Sequence, residues 1–285
     1  MPHIRQEQPF PLGYTAITER QGQHRDMLMD FGILRLAQTS SQAASMREYS
    51  SEAGLERAFL LIQGELSFHW QQGEDAGVFH CARSNPLEQE PYVLHVGHST
   101  HVRMEALSDE VEIAIQGCEN PRDFPVTFWQ PGSYRSELFG EGTLQDTSTR
   151  RVRTIFDAAT APESAMVMGE VINYPGKWSS YPPHTHAQPE IYHYRFYPEQ
   201  GFGFSEQGDN VYKVHHRDTV TIPSHVTHPQ TAAPGYAMYY IWLIPHLPDD
   251  RFGPDSRIFR PEHAWTNDAQ APIWPDAAVD SLLRE

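Results

Sequence analysis

Short runs in which apolar and polar residues alternate, rich in Val, Ile, Phe, Tyr and Trp, recur along the whole chain, with Gly and Pro between them. A period of two puts successive side chains on opposite faces of a strand, so the pattern predicts an all-β protein. In the first half the runs fall at Gly32 to Ala37, Arg57 to Gln63, Glu65 to Trp70, Ala76 to Ala82, Tyr92 to Val96, Thr100 to Ala106 and Val111 to Gln116, with hairpin turns expected at Gly64 and Gly73. In the second half they fall at Arg151 to Phe156, Ala165 to Asn173, Ile191 to Tyr197, Gly201 to Ser205, Asn210 to His215, Thr219 to Ile222, Pro229 to Ala232 and Tyr236 to Ile244. The turn-rich stretch around Pro121, Pro125 and Pro131-Gly132 separates the two sets. The expected organisation is two tandem jelly-roll-like β-barrels, residues 1–120 and 151–285, joined by 121–150. The second ends in a Pro-rich aromatic tail with Phe252, Phe259, Trp265 and Trp274.

Composition narrows the partners. With 21 Lys and Arg against 37 Asp and Glu, the formal charge is −16, which argues against nucleic acid or an anionic membrane. An anionic small molecule therefore needs a local basic pocket. No signal-like segment opens the chain and no apolar run reaches the ~18 residues of a membrane span, so a cytoplasmic protein is expected. Cys81 and Cys118 are too few for a disulfide framework and lack metal or redox spacing.

The candidate chemistry lies in His184-Thr185-His186-Ala187-Gln188-Pro189-Glu190, answered by His228 after the turn at Pro223. Side chains at i and i+2 of a strand share a face, so His184 and His186 can converge on one ion, with Glu190 in phase and His228 from another strand. A lone His pair on a strand is commonly a hydrogen-bonded surface feature; the full set of three imidazoles and a carboxylate suits a divalent metal. These donors suit Zn, Mn, Fe, Ni or Cu without choosing between them; Zn is taken as the first candidate, with Mn, Fe or Ni as alternatives. Tyr192 and Tyr194 share the parity of Glu190 and are candidate catalytic phenols, with core packing as the alternative. Tyr240 and the basic residues nearest the motif, Arg153, Lys177 and Arg195, are candidates for holding substrate, with surface solvation as the alternative for the basic ones.

The two halves also read as an internal duplication. His95 to His101 can be laid on Ile222 to His228, and Glu56 on Glu190, which puts Ser50 and Glu52 where the second half has His184 and His186. The first barrel is expected to be metal-free and structural.

The HxH, Glu and distant His pattern resembles the cupin superfamily, and a bicupin is the fold that this implies. Longer runs resemble the two-cupin 5-deoxy-glucuronate isomerase family of inositol catabolism: Gly176 to His184, Glu190 to Phe196, Pro198 to Phe204 and Ala232 to Tyr240. The resemblance implies aldose to ketose isomerisation of 5-deoxy-D-glucuronate to 5-dehydro-2-deoxy-D-gluconate through a metal-stabilised enediolate, with His184, His186, Glu190 and His228 as ligands. It implies one divalent metal, a small anionic sugar acid as substrate and no nucleotide cofactor; no Gly-rich phosphate loop is present in the sequence. An Fe-dependent cupin dioxygenase, or a non-catalytic sugar-acid-binding cupin, are the competing expectations. Self-association is expected from the aromatic strands and the extended tail.

Overall fold

The computed structural model describes residues 2–39 and 42–275; residues 276–285, the end of the expected second half, lie outside the described residues. The chain is all-β with a few short helical turns, and its strands pair antiparallel throughout.

Two large sheets carry the same strand order. Across the first run Thr127–Trp129, Val93–Val96, Leu55–Gln72, Val111–Glu119, Met29–Leu36 and Gly13–Thr18. Across the second run His3–Ile4, Thr219–Ile222, Glu190–Tyr197, Ala237–Pro245, Met166–Asn173 and Arg150–Phe156, with Arg135–Phe139 added at the edge. The layer behind each repeats too. Met46–Tyr49, Thr100–Ala106, the end of Leu55–Gln72 and Asp75–Arg83 correspond to Trp178–Ser179, Gln230–Ala232, Phe202–Gln207 and Asn210–His215. The leading edge strands cross over: His3–Ile4 pairs with Thr219 and Val220, while Thr127–Trp129, from the stretch expected to be a mere connection, pairs with Val93–Val96.

Gly73 turns the chain between Gln72 and Asp75 as expected, but Gly64 does not make a hairpin. It lies inside the single strand Leu55–Gln72 with φ +103°, and a Cβ there would meet the Glu110 carbonyl at 2.3 Å. Glycine lets the strand bend from one layer into the other. Before the bend it pairs with Val93–Val96 and Val111–Glu119, and after it with Asp75–Arg83 and Thr100–Ala106.

Each half has its own interior. In the first Phe59, Leu61, Leu94, Met104 and Ile113 pack together, and in the second Val171, Tyr192, Tyr194, Val220 and Tyr240 do so. A third cluster joins the backs of the two large sheets, with Phe31, Ile33, Leu60 and Ile62 against Ile155, Met168, Ile241 and Leu243. Both faces of these strands are therefore buried, which is why Phe59-Leu60-Leu61-Ile62 reads as a continuous apolar run. A buried carboxylate within this seam is fully engaged. Glu170 accepts from Arg83 Nη1 at 2.7 Å and Nη2 at 2.9 Å, from Arg153 Nη1 at 3.1 Å and from the Tyr239 hydroxyl.

Register corrects the overlay of the two halves by one residue. Glu190 stands opposite Ile222, while Val96 stands opposite Arg57 and not Glu56. A slip of one residue moves a side chain to the other face of the sheet. Glu56 consequently faces the seam, accepting from His95 Nε2 at 2.6 Å, Asn120 Nδ2 at 2.6 Å and the Ala165 amide at 2.7 Å.

Candidate metal centre

The second large sheet curls around a cavity of about 490 Å³. Alternate residues of its strands line it: Arg150, Val152 and Thr154; Val167 and Val171; Glu190 and Tyr192; Tyr240, Trp242 and Ile244. The intervening residues face the seam, so period-two alternation decides which side chains meet a ligand.

His184, His186, Glu190 and His228 gather at the inner end of this cavity. His184 opens the short strand His184–Thr185 and His186 follows it, Glu190 opens Glu190–Tyr197, and His228 follows the turn after Thr219–Ile222, where His225 takes a left-handed φ of +64°. His186, Glu190 and His228 each bring one ligand atom within 4.8 Å of the others. His184 lies beside that tight group, its ring centroid 5.0 Å from that of His228.

Each imidazole is oriented by a backbone carbonyl. Nδ1 of His184 donates to Pro182 O at 2.8 Å, that of His186 to Gln188 O at 2.9 Å and that of His228 to Val226 O at 2.8 Å. With Nδ1 carrying the proton, the Nε2 lone pairs are left for the centre of the group. There they face a carboxylate: Glu190 Oε2 lies 3.3 Å from His186 Nε2 and 3.2 Å from His228 Nε2. The His228 nitrogen is off the line of a hydrogen bond, so it is a buried polar atom without a partner. Lone pairs facing a carboxylate in a buried pocket fit a divalent cation, and the donor set of imidazole and carboxylate agrees.

Electrostatics point the same way. Burial works to raise the Glu190 carboxyl, but His186 and His228 outweigh it and bring it down to about 2. Burial works to lower His228, but the contact with Glu190 outweighs it and raises that imidazole, so the group attracts positive charge, whether a proton or a cation. Burial, reinforced by the neighbouring His228, lowers His184 to about 3, so this imidazole is neutral at physiological pH and free to ligate. The tail straps over the group. Ile258–Phe259 pairs with His184–Thr185, the Phe252 and Phe259 rings pack edge-on against His186 and His184, and Gln188 Nε2 donates to Asp250 O at 2.6 Å.

The other expected residues separate. Tyr192 and Tyr240 reach the cavity, their hydroxyls 2.8 Å from Ser180 Oγ and Ser179 Oγ. Tyr194 shares their face but sits deeper, donating to Gln230 Oε1 at 2.5 Å, and does not line the cavity. Arg153 points into the seam on Glu170. Arg195 does likewise, with Nη2 3.0 Å from Glu112 Oε2 and Nη1 donating to His193 Nε2 at 2.6 Å. Lys177 is half-buried outside the cavity lining, and its backbone carbonyl supports Ala232 N at 3.1 Å. The basic residues that do line the cavity are Arg135, Arg150 and Arg257. For Arg150, strand parity with Val152 and Thr154 was the available signal.

Residues 4–266 match the model of the KduI/IolB family. Among curated relatives, the 5-deoxy-glucuronate isomerase of Geobacillus thermodenitrificans is 26% identical over 71% of this chain and 80% of its own length. That of Geobacillus kaustophilus is 31% identical over 59% of this chain and 67% of its own. Among solved structures, an IolB-like protein from Salmonella typhimurium superposes with a TM-score of 0.78 at 22% identity, over 91% of this chain and 97% of that one. An oxalate decarboxylase from Lactobacillus farciminis superposes with a TM-score of 0.61 at 10% identity, over 88% of this chain and 85% of that one, a likeness of cupin-type fold.

Proposed function

Because the chain belongs to the KduI/IolB family, we propose that this isomerase acts on 5-deoxy-D-glucuronate in inositol catabolism, as a metal-dependent aldose to ketose isomerase built as a bicupin. The curated relatives named as 5-deoxy-glucuronate isomerases support the substrate. The repeated strand order supports the bicupin reading. The observation that carries metal dependence is the set of three imidazoles whose Nδ1 atoms are tied to carbonyls, two of which, His186 and His228, bring their other nitrogens within 3.3 Å of Glu190.

In this reading His184, His186, Glu190 and His228 hold the ion. A divalent cation there supplies Lewis acidity, stabilising negative charge on substrate oxygens as the adjacent carbon loses its proton. The chain's own residues shape the rest. Tyr192 is buried, and burial together with the nearby Glu190 charge pushes its phenol well above its ordinary value, so it keeps its proton. It thus serves as a hydrogen-bond donor to a substrate oxygen, not as the base that removes a proton from carbon. Tyr240, Ser179 and Ser180 offer further hydroxyls for the sugar. Val167, Val171, Trp242 and Ile244 make an apolar wall that limits water around the reacting carbons. Tyr194, tied to Gln230, supports the floor. No helix among the described residues is long and apolar enough to cross a membrane, in keeping with a cytoplasmic site of action.

The test is turnover of 5-deoxy-glucuronate by the purified protein, followed by chelation, elemental analysis and metal restoration. Activity should fall with metal content and return with it. Undiminished activity in verified metal-free protein would sink the metal-dependent mechanism, and no activity in metal-replete protein would sink the substrate.

A further inference from the structure

We propose that Arg150 is the anion anchor of the cavity, its guanidinium receiving the substrate's carboxylate and thereby restricting the site to acids. This rests on the isomerase reading for the identity of the substrate, but not for the binding of a carboxylate.

Buried guanidinium groups in this chain are compensated by buried carboxylates. Arg83 and Arg153 share Glu170, and Arg195 is paired with Glu112. Arg150, half-buried at the cavity, is different. Its Nη1 donates to Ser148 O at 2.8 Å and its Nη2 to Tyr181 O at 3.3 Å, and it lies over the Phe139 ring, 5.6 Å from the centroid. Among the described residues no carboxylate pairs with it. The two carbonyls and the ring fix the plane of the fork while leaving its charge uncompensated. The residue lines the cavity, and its two carbonyl partners leave N–H groups to spare. A planar fork held in this way is preorganised for bidentate capture of a carboxylate.

The other charges around the cavity leave this role open to few groups. Arg135 is neutralised by Asp157, with Glu137 3.8 Å away, and Glu190 belongs to the imidazole group. That leaves Arg150 and, on the strap, the exposed Arg257 as cations without an ion-pair partner among the described residues. Burial lowers the Arg150 guanidinium from its usual value and the Arg257 charge adds to this, while Tyr240 works the other way. An entering anion reverses that penalty. In a chain of net charge −16 the surface repels an acid, so a local cation inside the cavity is what makes an anionic ligand favourable there.

The experiment compares wild type with Arg150→Met and Arg150→Lys, all metal-loaded. Calorimetric titration with D-glucuronate and, separately, neutral D-glucose reads anion recognition without requiring turnover. Wild type should prefer glucuronate, Arg150→Met should lose roughly ten- to a hundredfold of that affinity with glucose unaffected, and Arg150→Lys should recover part of it. The same variants assayed on 5-deoxy-glucuronate should show the loss mainly in KM, with metal content unchanged. Equal glucuronate affinity in wild type and Arg150→Met, or no preference of wild type for glucuronate over glucose, overturns the assignment. If Arg150→Met does not fold, Arg150→Gln reads the same difference. A wild type that binds glucuronate through Arg150 yet does not turn over 5-deoxy-glucuronate would leave the anchor standing and remove only the isomerase substrate.

Discussion

Replacing Glu170 with Gln tests whether the seam between the halves is held by buried charge, and whether Arg153 is structural. The carboxylate is fully buried and receives two bonds from Arg83, one from Arg153 and one from Tyr239. Glutamine keeps the volume but removes the charge and replaces one acceptor oxygen with a donor amide that faces guanidinium groups. Arg83, also fully buried, and Arg153 then lack a counter-ion among the described residues. Breaking a buried pair from one side costs about 3–5 kcal/mol. At about 2–4 °C per kcal/mol for a chain near this size, the midpoint of thermal unfolding should fall by roughly 6–20 °C. The assay is a thermal melt followed by circular dichroism, with turnover measured well below the transition. Because Glu170 and Arg153 face away from the cavity, kcat/KM per folded molecule should stay within about twofold of wild type. Arg153→Met should follow the same pattern, losing stability while keeping KM. A melt unchanged within a degree or two would refute the energetic reasoning, and a raised KM in a stable Arg153→Met protein would return Arg153 to the substrate.

Two further outcomes follow from the same geometry. Tyr194→Phe removes the bond to Gln230 and should cost about 1–3 kcal/mol in stability with little change in kcat, whereas Tyr192→Phe should lower kcat by about a hundredfold with little change in melting; reversed results in melts and assays would exchange their roles. Asp218 accepts from His3 Nε2 at 2.8 Å, the Gln6 amide at 3.0 Å and the His215 amide at 2.9 Å. Burial works to raise its carboxyl, but these partners hold it below the usual carboxylate value. Its stabilisation is therefore complete above the unfolded value of about 3.9 and disappears as pH falls through the lower folded value. Asp218→Asn should melt well below wild type at neutral pH, with the gap closing in acid; a gap independent of pH would contradict this.

Period-two alternation made most strands and the gathering of His184, His186, Glu190 and His228 legible, because burial on a sheet face leaves a direct imprint on sequence. Depth along a face leaves none. Tyr192 and Tyr194 have the same parity, yet only Tyr192 reaches the cavity, because Gln230 from the other layer captures the Tyr194 hydroxyl farther in. Arg153 was singled out by nearness in sequence, whereas Arg150 lines the cavity with Val152 and Thr154 through parity. The strands Gly13–Thr18 and Arg135–Phe139 escaped detection because they lie at sheet edges, where one side needs no apolar partner.

The same parity separates the chemistry of the two halves. With Arg57 at the register position of Glu190 and Val96 at that of Ile222, counting without gaps places Ser51, Ala53 and Val102 at the positions of His184, His186 and His228. None of these offers an imidazole or a carboxylate. Arg57 itself repels a cation, and at the mouth of the first barrel it is engaged by Glu52, which also pairs with Arg20 at 3.1 Å. Ion pairs within the chain thus occupy the place that corresponds to the imidazole and carboxylate group of the second half. Introducing one histidine there leaves the guanidinium in position, so building a metal site in the first half would require reversing the charge at Arg57 as well as supplying ligands from both loops.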